Sequence, residues 1–344
     1  MKRKRASKVK ILLWTLLFVF FLGVGTIAGY GIHLTQKAEE VTEQSQVELE
    51  RGEVSSKRTK AVDPAEDNIS VLFLGIDDSE ARSEDTSLSD AMVLATFNKE
   101  EHSVKLLSIP RDSYVYIPEV GYKDKITHAH SFGGIDASVE TVERMMDVPV
   151  DYYVQLNFDA FTETVNALGG IPYDVPFDMT EQNSKDVQGA ITLESGMQIL
   201  NGEEALALAR SRQYDSDLAR GERQMELLQT IFEKVTDYDS ISQYSRLIDS
   251  IGNNMNTNLS FDEMTSLHSY ATNHDGLQFQ QMQLQGEGAF IPLENGRKYV
   301  FELDQNYVET TQEELRTHLE LANVSSDTHS SQSFNSETSS DSPS

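Results

Sequence analysis

No cysteine occurs among the 344 residues, and that absence removes several functions at once. There is no disulfide framework, no thiolate metal site and no thiol nucleophile, so the chemistry rests on oxygen and nitrogen and the core on packing alone. Positive charge is also scarce, with 28 lysines and arginines against 56 aspartates and glutamates. Six of those bases (Lys2, Arg3, Lys4, Arg5, Lys8 and Lys10) fall in the first ten residues, which leaves 22 bases against 56 acids in the remainder, a balance of −34. So acidic a surface repels nucleic acid, phosphate polymers and anionic headgroups except where a local cationic site overrides the field, and no nucleic-acid partner is expected. A phosphate loop with its lysine and hydroxyl is missing, as is a serine-nucleophile elbow.

Charge is absent altogether from residues 11–32, a run of 22. That length spans a hydrocarbon core of roughly 30 Å at about 1.5 Å per residue. The basic cluster precedes the run and only Lys37 follows closely, so the positive-inside rule places residues 1–10 in the cytoplasm as a basic tail and the chain after the span outside. Residues 11–32 read as an uncleaved transmembrane signal anchor in the cell membrane. A cleaved signal peptide is the alternative, given Gly23, Gly25, Ala28 and Gly29, although secretory apolar regions usually run about 7 to 15 residues. Residues 33–67, polar and charged, read as an extracellular stalk. Residues 322–344, rich in serine, cannot offset their ordering entropy by burial and read as a disordered tail.

The span from 68 to 321 alternates between two periodicities. "ISVLFLGI" (69–76), "AMVLATF" (91–97) and "VKLLSI" (104–109) are short apolar runs rich in branched residues, as in strands buried on both faces. "DASVETVERMMD" and "NFDAFTETVNALGG" have helical spacing, the second ending in helix-terminating glycines, with "DYYVQLNF" as a strand between them. Helices are expected again over 218–238 and 262–273, then strands in "LQFQQMQL" and "KYVFEL". Strands alternating with helices imply an α/β sandwich on one sheet.

Against the acidic background, "LALARSRQYDSDLARGERQ" (206–224) concentrates Arg210, Arg212, Arg220 and Arg223. On a helix beginning near Leu218, the residues Arg220, Gln224, Leu227 and Ile231 share one face, with Arg223 beside them. The cations thus continue a core-facing stripe, and a half-buried arginine requires an anion. Asp215, Asp217 and Glu222 are internal candidates for that role; an external phosphate, matched bidentately by guanidinium forks, is the other.

A second constellation sits at strand ends: Asp77 after the first strand, Asp90 at the start of the second, Arg111 and Asp112 after the third. Ligands of α/β sheets bind at such ends, and two carboxylates suit Mg²⁺ shared with a phosphate, although turn or cap roles are ordinary for such residues. His128 and His130 lack a third ligand at metal spacing. Val154, Leu156, Phe158, Phe161, Val165 and Leu168 form a dense apolar set that suits either a core or the wall of an apolar tunnel.

In order, "VLFLGID", "SLSDAMVLATFN", "LLSIPRDSYVYIP", "KITHAHSFGG", "DYYVQLNFDAFTETVNALGGI", "LNGEEALALARSR" and "DSDLARGERQ" resemble the LytR-CpsA-Psr family. The resemblance implies a three-layer α/β/α sandwich around a mixed central sheet, preceded by one N-terminal transmembrane helix. It also implies a Gram-positive cell-wall enzyme, a phosphotransferase that moves wall teichoic acid, capsular or another secondary wall polysaccharide. The donor would be an undecaprenyl-pyrophosphate-linked glycan and the acceptor peptidoglycan, through a phosphodiester commonly to the C6 hydroxyl of N-acetylmuramic acid. By motif position, Asp77 and Asp90 match the acids that hold Mg²⁺ (or Mn²⁺ in its place), and Arg111, Arg210, Arg212, Arg220 and Gln224 match phosphate contacts. Arg82, in a loop of variable length, and Arg223 complete the substrate-binding set, and Asp90 or Asp112 would accept the proton of the attacking hydroxyl. One departure is Leu88, which stands where family members often carry an arginine. A lipid-pyrophosphate phosphatase using the same site and a membrane-anchored regulatory or binding module are the competing readings.

Overall fold

Along the first strand the side chains divide by period two. Leu72, Leu74 and Ile76 enter one core cluster, while Ile69, Val71 and Phe73 enter another on the opposite face. A strand that is apolar on both sides must be covered on both sides, and this decides the layering. The computed structural model describes residues 36, 39–40, 42–77, 88–211, 217–236, 241–251, 254–267, 277–293 and 296–321. The expected anchor at 11–32, the serine-rich tail, Arg82 and Arg212 lie outside the described residues. Among the described residues no helix is long and apolar enough to cross a membrane.

In chain order the elements begin with β1 (Ile69–Asp77), β2 (Leu88–Asn98), β3 (Ser103–Ser108), β4 (Tyr114–Ile117), β5 (Tyr122–Lys125) and α1 (His128–Met146). There follow β6 (Tyr152–Asn157), α2 (Phe158–Ala167), β7 (Ile171–Val175), β8 (Met179–Glu181), β9 (Ile191–Leu193), β10 (Gly196–Leu200) and α3 (Gly202–Arg210). The last are α4 (Asp217–Thr236), α5 (Ile241–Ile251), β11 (Met255–Thr257), α6 (Phe261–Ser266), β12 (Gln278–Gln283), β13 (Gly286–Leu293), β14 (Gly296–Leu303) and α7 (Gln305–His318).

The central sheet has the order β11-β6-β1-β2-β3-β12. It is mixed: β1 runs parallel to β6 and β3 to β12, while the other neighbours are antiparallel. Val139, Val142 and Met146 of α1, with Val308 and Leu315 of α7, cover one face. Met225, Leu228 and Phe232 of α4 cover the other, and Phe232 meets Phe73 and Phe97 edge to face at 5.6 and 5.7 Å. α2, α3 and α5 extend that second layer through their own apolar cluster.

Local signals set the helix ends. Asn157 caps α2, its side chain accepting from the Ala160 backbone N–H at 2.9 Å, and the chain leaves through Gly169 and Gly170 with φ of 75° and 84°. Asn201 and Glu204 form a reciprocal capping box on α3. α1 begins at His128, earlier than the spacing predicts, but is broken by non-helical Gly133 and Gly134, so the regular helix starts where expected. The helix expected over 262–273 is described only as Phe261–Ser266.

Residues 42–67 depart from the expected stalk: they are part of the domain. Leu49 is 3% exposed within the main core cluster. The Val47 backbone N–H donates to Thr257 O (2.8 Å), and Tyr153 Oη donates to Val47 O (2.7 Å). Arg58 grips the buried Asp151 through Nε and Nη2 at 2.9 and 2.7 Å, and Arg51 pairs with Glu143 at 2.6 Å. This segment docks chiefly through backbone bonds and ion pairs, with Leu49 its isolated anchor in the main core, so it leaves no hydrophobic period in the sequence.

Candidate active site

The register brings the C-terminal ends of β1, β3 and β6 and the start of β2 to one edge, with Asp77 opposite Leu88 and Ile76 opposite Asn157. Above this edge, between the sheet and α2, α3 and α4, lies a cavity of about 570 Å³. Its floor is the cross-strand row Val93, Phe73 and Val154. Gly75, paired with Ala91 and Leu156, keeps the next row low: a Cβ there would come within 3.1 Å of Ala91 Cβ. Leu206, Leu227, Ile231 and Phe232 close the roof, and Ile251 and Met255 extend the wall. Of the dense apolar set, Val154, Leu156, Phe158 and Phe161 line the cavity, whereas Val165 and Leu168 are buried in the core.

The polar lining consists of Asp90, Arg111, Asn157, Thr164, Glu181, Gln182, Arg210, Arg220 and Gln224. Arg220, Gln224, Leu227 and Ile231 all face it, as their helical spacing predicts. Gly221 allows this placement, because α4 presses so closely on β3 and β12 that a Cβ at Gly221 would lie 2.5 Å from Ser108 Oγ and 2.6 Å from Gln283 Nε2. Arg210 lies over the Phe158 ring at 4.3 Å and reaches Asp186 at 3.2 Å and Asn183 O at 3.5 Å.

Arg111 Nη1 contacts Asp90 Oδ1, but its Nε is shut off from water without an acceptor. An unsatisfied guanidinium donor beside other arginines is a site prepared for an anion. Asp112 turns elsewhere, pairing with Lys125 Nζ at 2.7 Å outside the cavity lining. Arg223 also differs from its substrate-binding expectation. Nearly buried at 4% exposure, it donates to Leu208 O (3.3 Å) and Ser211 O (2.7 Å), satisfying carbonyls at the end of α3, and it lies outside the cavity lining. His128 pairs with Asp124 at 2.8 Å, and Lys298 contacts the same carboxylate. Among the described residues no cluster of three His, Asp or Glu side chains could hold a metal; the side chain of Asp77 lies outside those described.

Glu181, Gln182 and Asn157 were not singled out in the sequence. Alternation in "DMTE" carries a signal for Glu181, since it shares an inward face with the buried Met179.

An apolar cavity that also carries arginines in its lining defines a protein suited to an amphiphile with an anionic head. The chain belongs to the LytR_cpsA_psr family, whose model matches residues 30–317. It is 41% identical over 321 residues, 92% of its length and 96% of the relative's, to the polyisoprenyl-teichoic acid–peptidoglycan teichoic acid transferase TagT of Bacillus subtilis. An uncharacterized protein of Staphylococcus aureus is 46% identical over 259 residues, 74% of this chain and 64% of that longer protein. Solved structures agree: TagT bound to LIIa-WTA has a TM-score of 0.68 and 42% identity, covering 80% of this chain and 99% of that one. TagT with bound octaprenyl pyrophosphate lipid has a TM-score of 0.62 and 39% identity over the same shares.

Proposed function

We propose that this chain transfers a phosphate-linked glycopolymer, a wall teichoic acid or a related wall polysaccharide, from a polyprenyl-pyrophosphate carrier to peptidoglycan. The observation that carries the reading is the cavity itself, apolar along Phe73, Val93, Leu227 and Phe232 and cationic at Arg111, Arg210 and Arg220. The apolar part suits the polyprenyl tail and the cationic part the pyrophosphate. The names of the relatives, teichoic acid transferases and one bound to octaprenyl pyrophosphate, support the same assignment.

Phosphoryl transfer demands position and charge neutralisation more than covalent catalysis. Arg111, Arg210, Arg212 and Arg220, with Gln224, clamp the pyrophosphate. An acceptor hydroxyl of peptidoglycan attacks the glycan-side phosphorus, the phosphorus bond to the bridging oxygen breaks, and polyprenyl phosphate leaves with that electron pair. Of the two candidate bases only Asp90 lines the cavity, and it takes the hydroxyl proton. Asp77 and Asp90, carried to one sheet edge by the β1–β2 register, would hold Mg²⁺, or Mn²⁺ in its place, which neutralises phosphate charge when bound. Residues 11–32 anchor the domain outside the membrane, within reach of both substrates.

The test is the full chain in detergent with Mg²⁺, a polyprenyl-pyrophosphate-linked saccharide and a peptidoglycan oligomer, with products read by mass spectrometry. A saccharide-phosphate adduct on the oligomer, lost in Arg111→Ala, is expected. Free saccharide phosphate alone would make the chain a phosphatase, and no turnover with any donor would leave a binding module.

A further inference from the structure

β8 places an acid where the fold calls for an apolar side chain. Met179 is buried at 2%, Thr180 points outward, and Glu181 returns to the inward face beside its strand partner Ile191. There it lines the cavity, with Oε1 closed off from water and no hydrogen-bond donor supplied to it. Among the described residues no cation pairs with this carboxylate. The residue as a whole is half-buried, but a carboxylate oxygen closed off without a donor is costly, and a fold keeps one where something else completes it.

The surroundings restrict what that is. Asn157, Phe158, Gln182 and Arg210 line the same cavity, and the loop after β8 holds Arg210 through Asn183 O and Asp186. Gln182 is fixed in turn, donating to Asp186 Oδ1 at 2.9 Å. A phosphate cannot satisfy Glu181, because both are anions, and a hydrocarbon tail has no donor to offer. Hydroxyl and amide hydrogens do, and in an amphiphile seated on the arginines these belong to the sugar joined to the pyrophosphate.

Resting on the donor proposed above, we infer that Glu181, flanked by Gln182, is a saccharide subsite that accepts hydrogen bonds from the sugar nearest the pyrophosphate. The subsite has a selective consequence. A carrier without a sugar leaves Glu181 unsatisfied beside an anion, so the glycan-loaded lipid is favoured over the bare one. A site built to accept hydrogens rejects an analogue that lacks them more strongly than an apolar pocket rejects one of different size.

The test measures binding of two probes to the full chain in detergent: polyprenyl pyrophosphate, and the same lipid carrying one N-acetylhexosamine. The unsubstituted protein is expected to prefer the sugar-bearing lipid by about tenfold or more, the size of one charge-assisted hydrogen bond. Glu181→Gln should narrow that preference and Glu181→Leu abolish it, while both variants bind the bare lipid at least as tightly and melt no lower than the unsubstituted protein. An unchanged preference, an equal loss for both lipids, or a lowered melting temperature with the preference intact would each overturn the subsite and leave the donor reading standing. Failure of the unsubstituted protein to bind either lipid would overturn both.

Discussion

Replacing Gly221 with alanine separates what holds the domain together from what aims its arginines. The added Cβ would stand 2.5 Å from Ser108 Oγ and 2.6 Å from Gln283 Nε2. The Gln283 amide, which donates to Leu218 O at 2.7 Å, can swing away at the loss of about 1 kcal/mol of hydrogen bonding. Ser108 has no such reach, so the N-terminal half of α4 around Gly221 must lift. Overpacking of this kind costs about 1–3 kcal/mol, and alanine in place of glycine inside a helix returns about 1 kcal/mol. With the lost hydrogen bond the net loss is at most about 3 kcal/mol, a fall in melting temperature of up to about 6–12 °C for a domain of this size. Catalysis responds differently, because Arg220 and Gln224 ride on the lifted half, and a misplacement of about 1 Å can cost about a hundredfold in rate. Gly221→Ala should therefore stay folded and lose transfer far out of proportion to its stability. Thermal unfolding and the product assay are run on one preparation. Unimpaired transfer in a protein of lowered melting temperature would show that this helix–sheet approach does not position the arginines.

Three further outcomes follow from the packing. Arg223→Ala should act on stability, costing about 2–4 kcal/mol by leaving the Leu208 and Ser211 carbonyls without their buried donor; a change in donor affinity with no change in melting temperature would contradict the capping role. Leu49→Ala should cost about 2–5 kcal/mol as a core cavity, and a chain cut to begin at Asp67 should unfold at lower denaturant than one that keeps residues 42–66; equal midpoints would restore the stalk. His318, 2% exposed, has its pKa lowered from 6.5 to about 4, by burial first and then by Lys105. The unfolded chain takes up that proton first on acidification, so the contribution is complete above pH 6.5 and is lost as pH falls toward 4, up to about 3 kcal/mol. Melting curves across that window should show a shallower acid loss in His318→Gln than in the unsubstituted protein, and parallel curves would refute it.

The sheet was legible because β1, β2 and β3 are apolar on both faces, and few arrangements other than a covered central strand tolerate that. The close of α2 was legible because Gly169 and Gly170 occupy positive φ. The docking of residues 42–67 was not, since Arg58–Asp151 and Arg51–Glu143 join residues 93 and 92 apart in sequence, and a polar segment that folds by ion pairing has the composition of one that does not fold. The cavity was legible only in part. Phe158 and Phe161 face it while Val165 and Leu168 pack into the core, yet all four lie within one apolar stretch, and a cavity wall is a core surface with its opposing layer missing.

The arginines show where spacing stops discriminating. Arg220 and Arg223 sit three residues apart on α4, both are nearly buried, and both continue the apolar stripe. At that separation their directions differ by roughly 60° around the helix, at about 100° per residue. Helical phase alone thus allowed both to face one ligand. What divides them is a neighbour that phase does not encode: α3 ends at Arg210, and its last carbonyls need donors, which Arg223 supplies through Nε and Nη2. Gln224, one residue on, serves both demands, donating to Ala209 O at 3.2 Å while lining the cavity. The same helix end that consumes Arg223 therefore fixes Gln224 and leaves Arg220 and Arg210 facing the cavity. A cation cluster in a sequence is accordingly a sum of two requirements, the ligand's and that of the nearest helix terminus, and only the packing of the second helix apportions it.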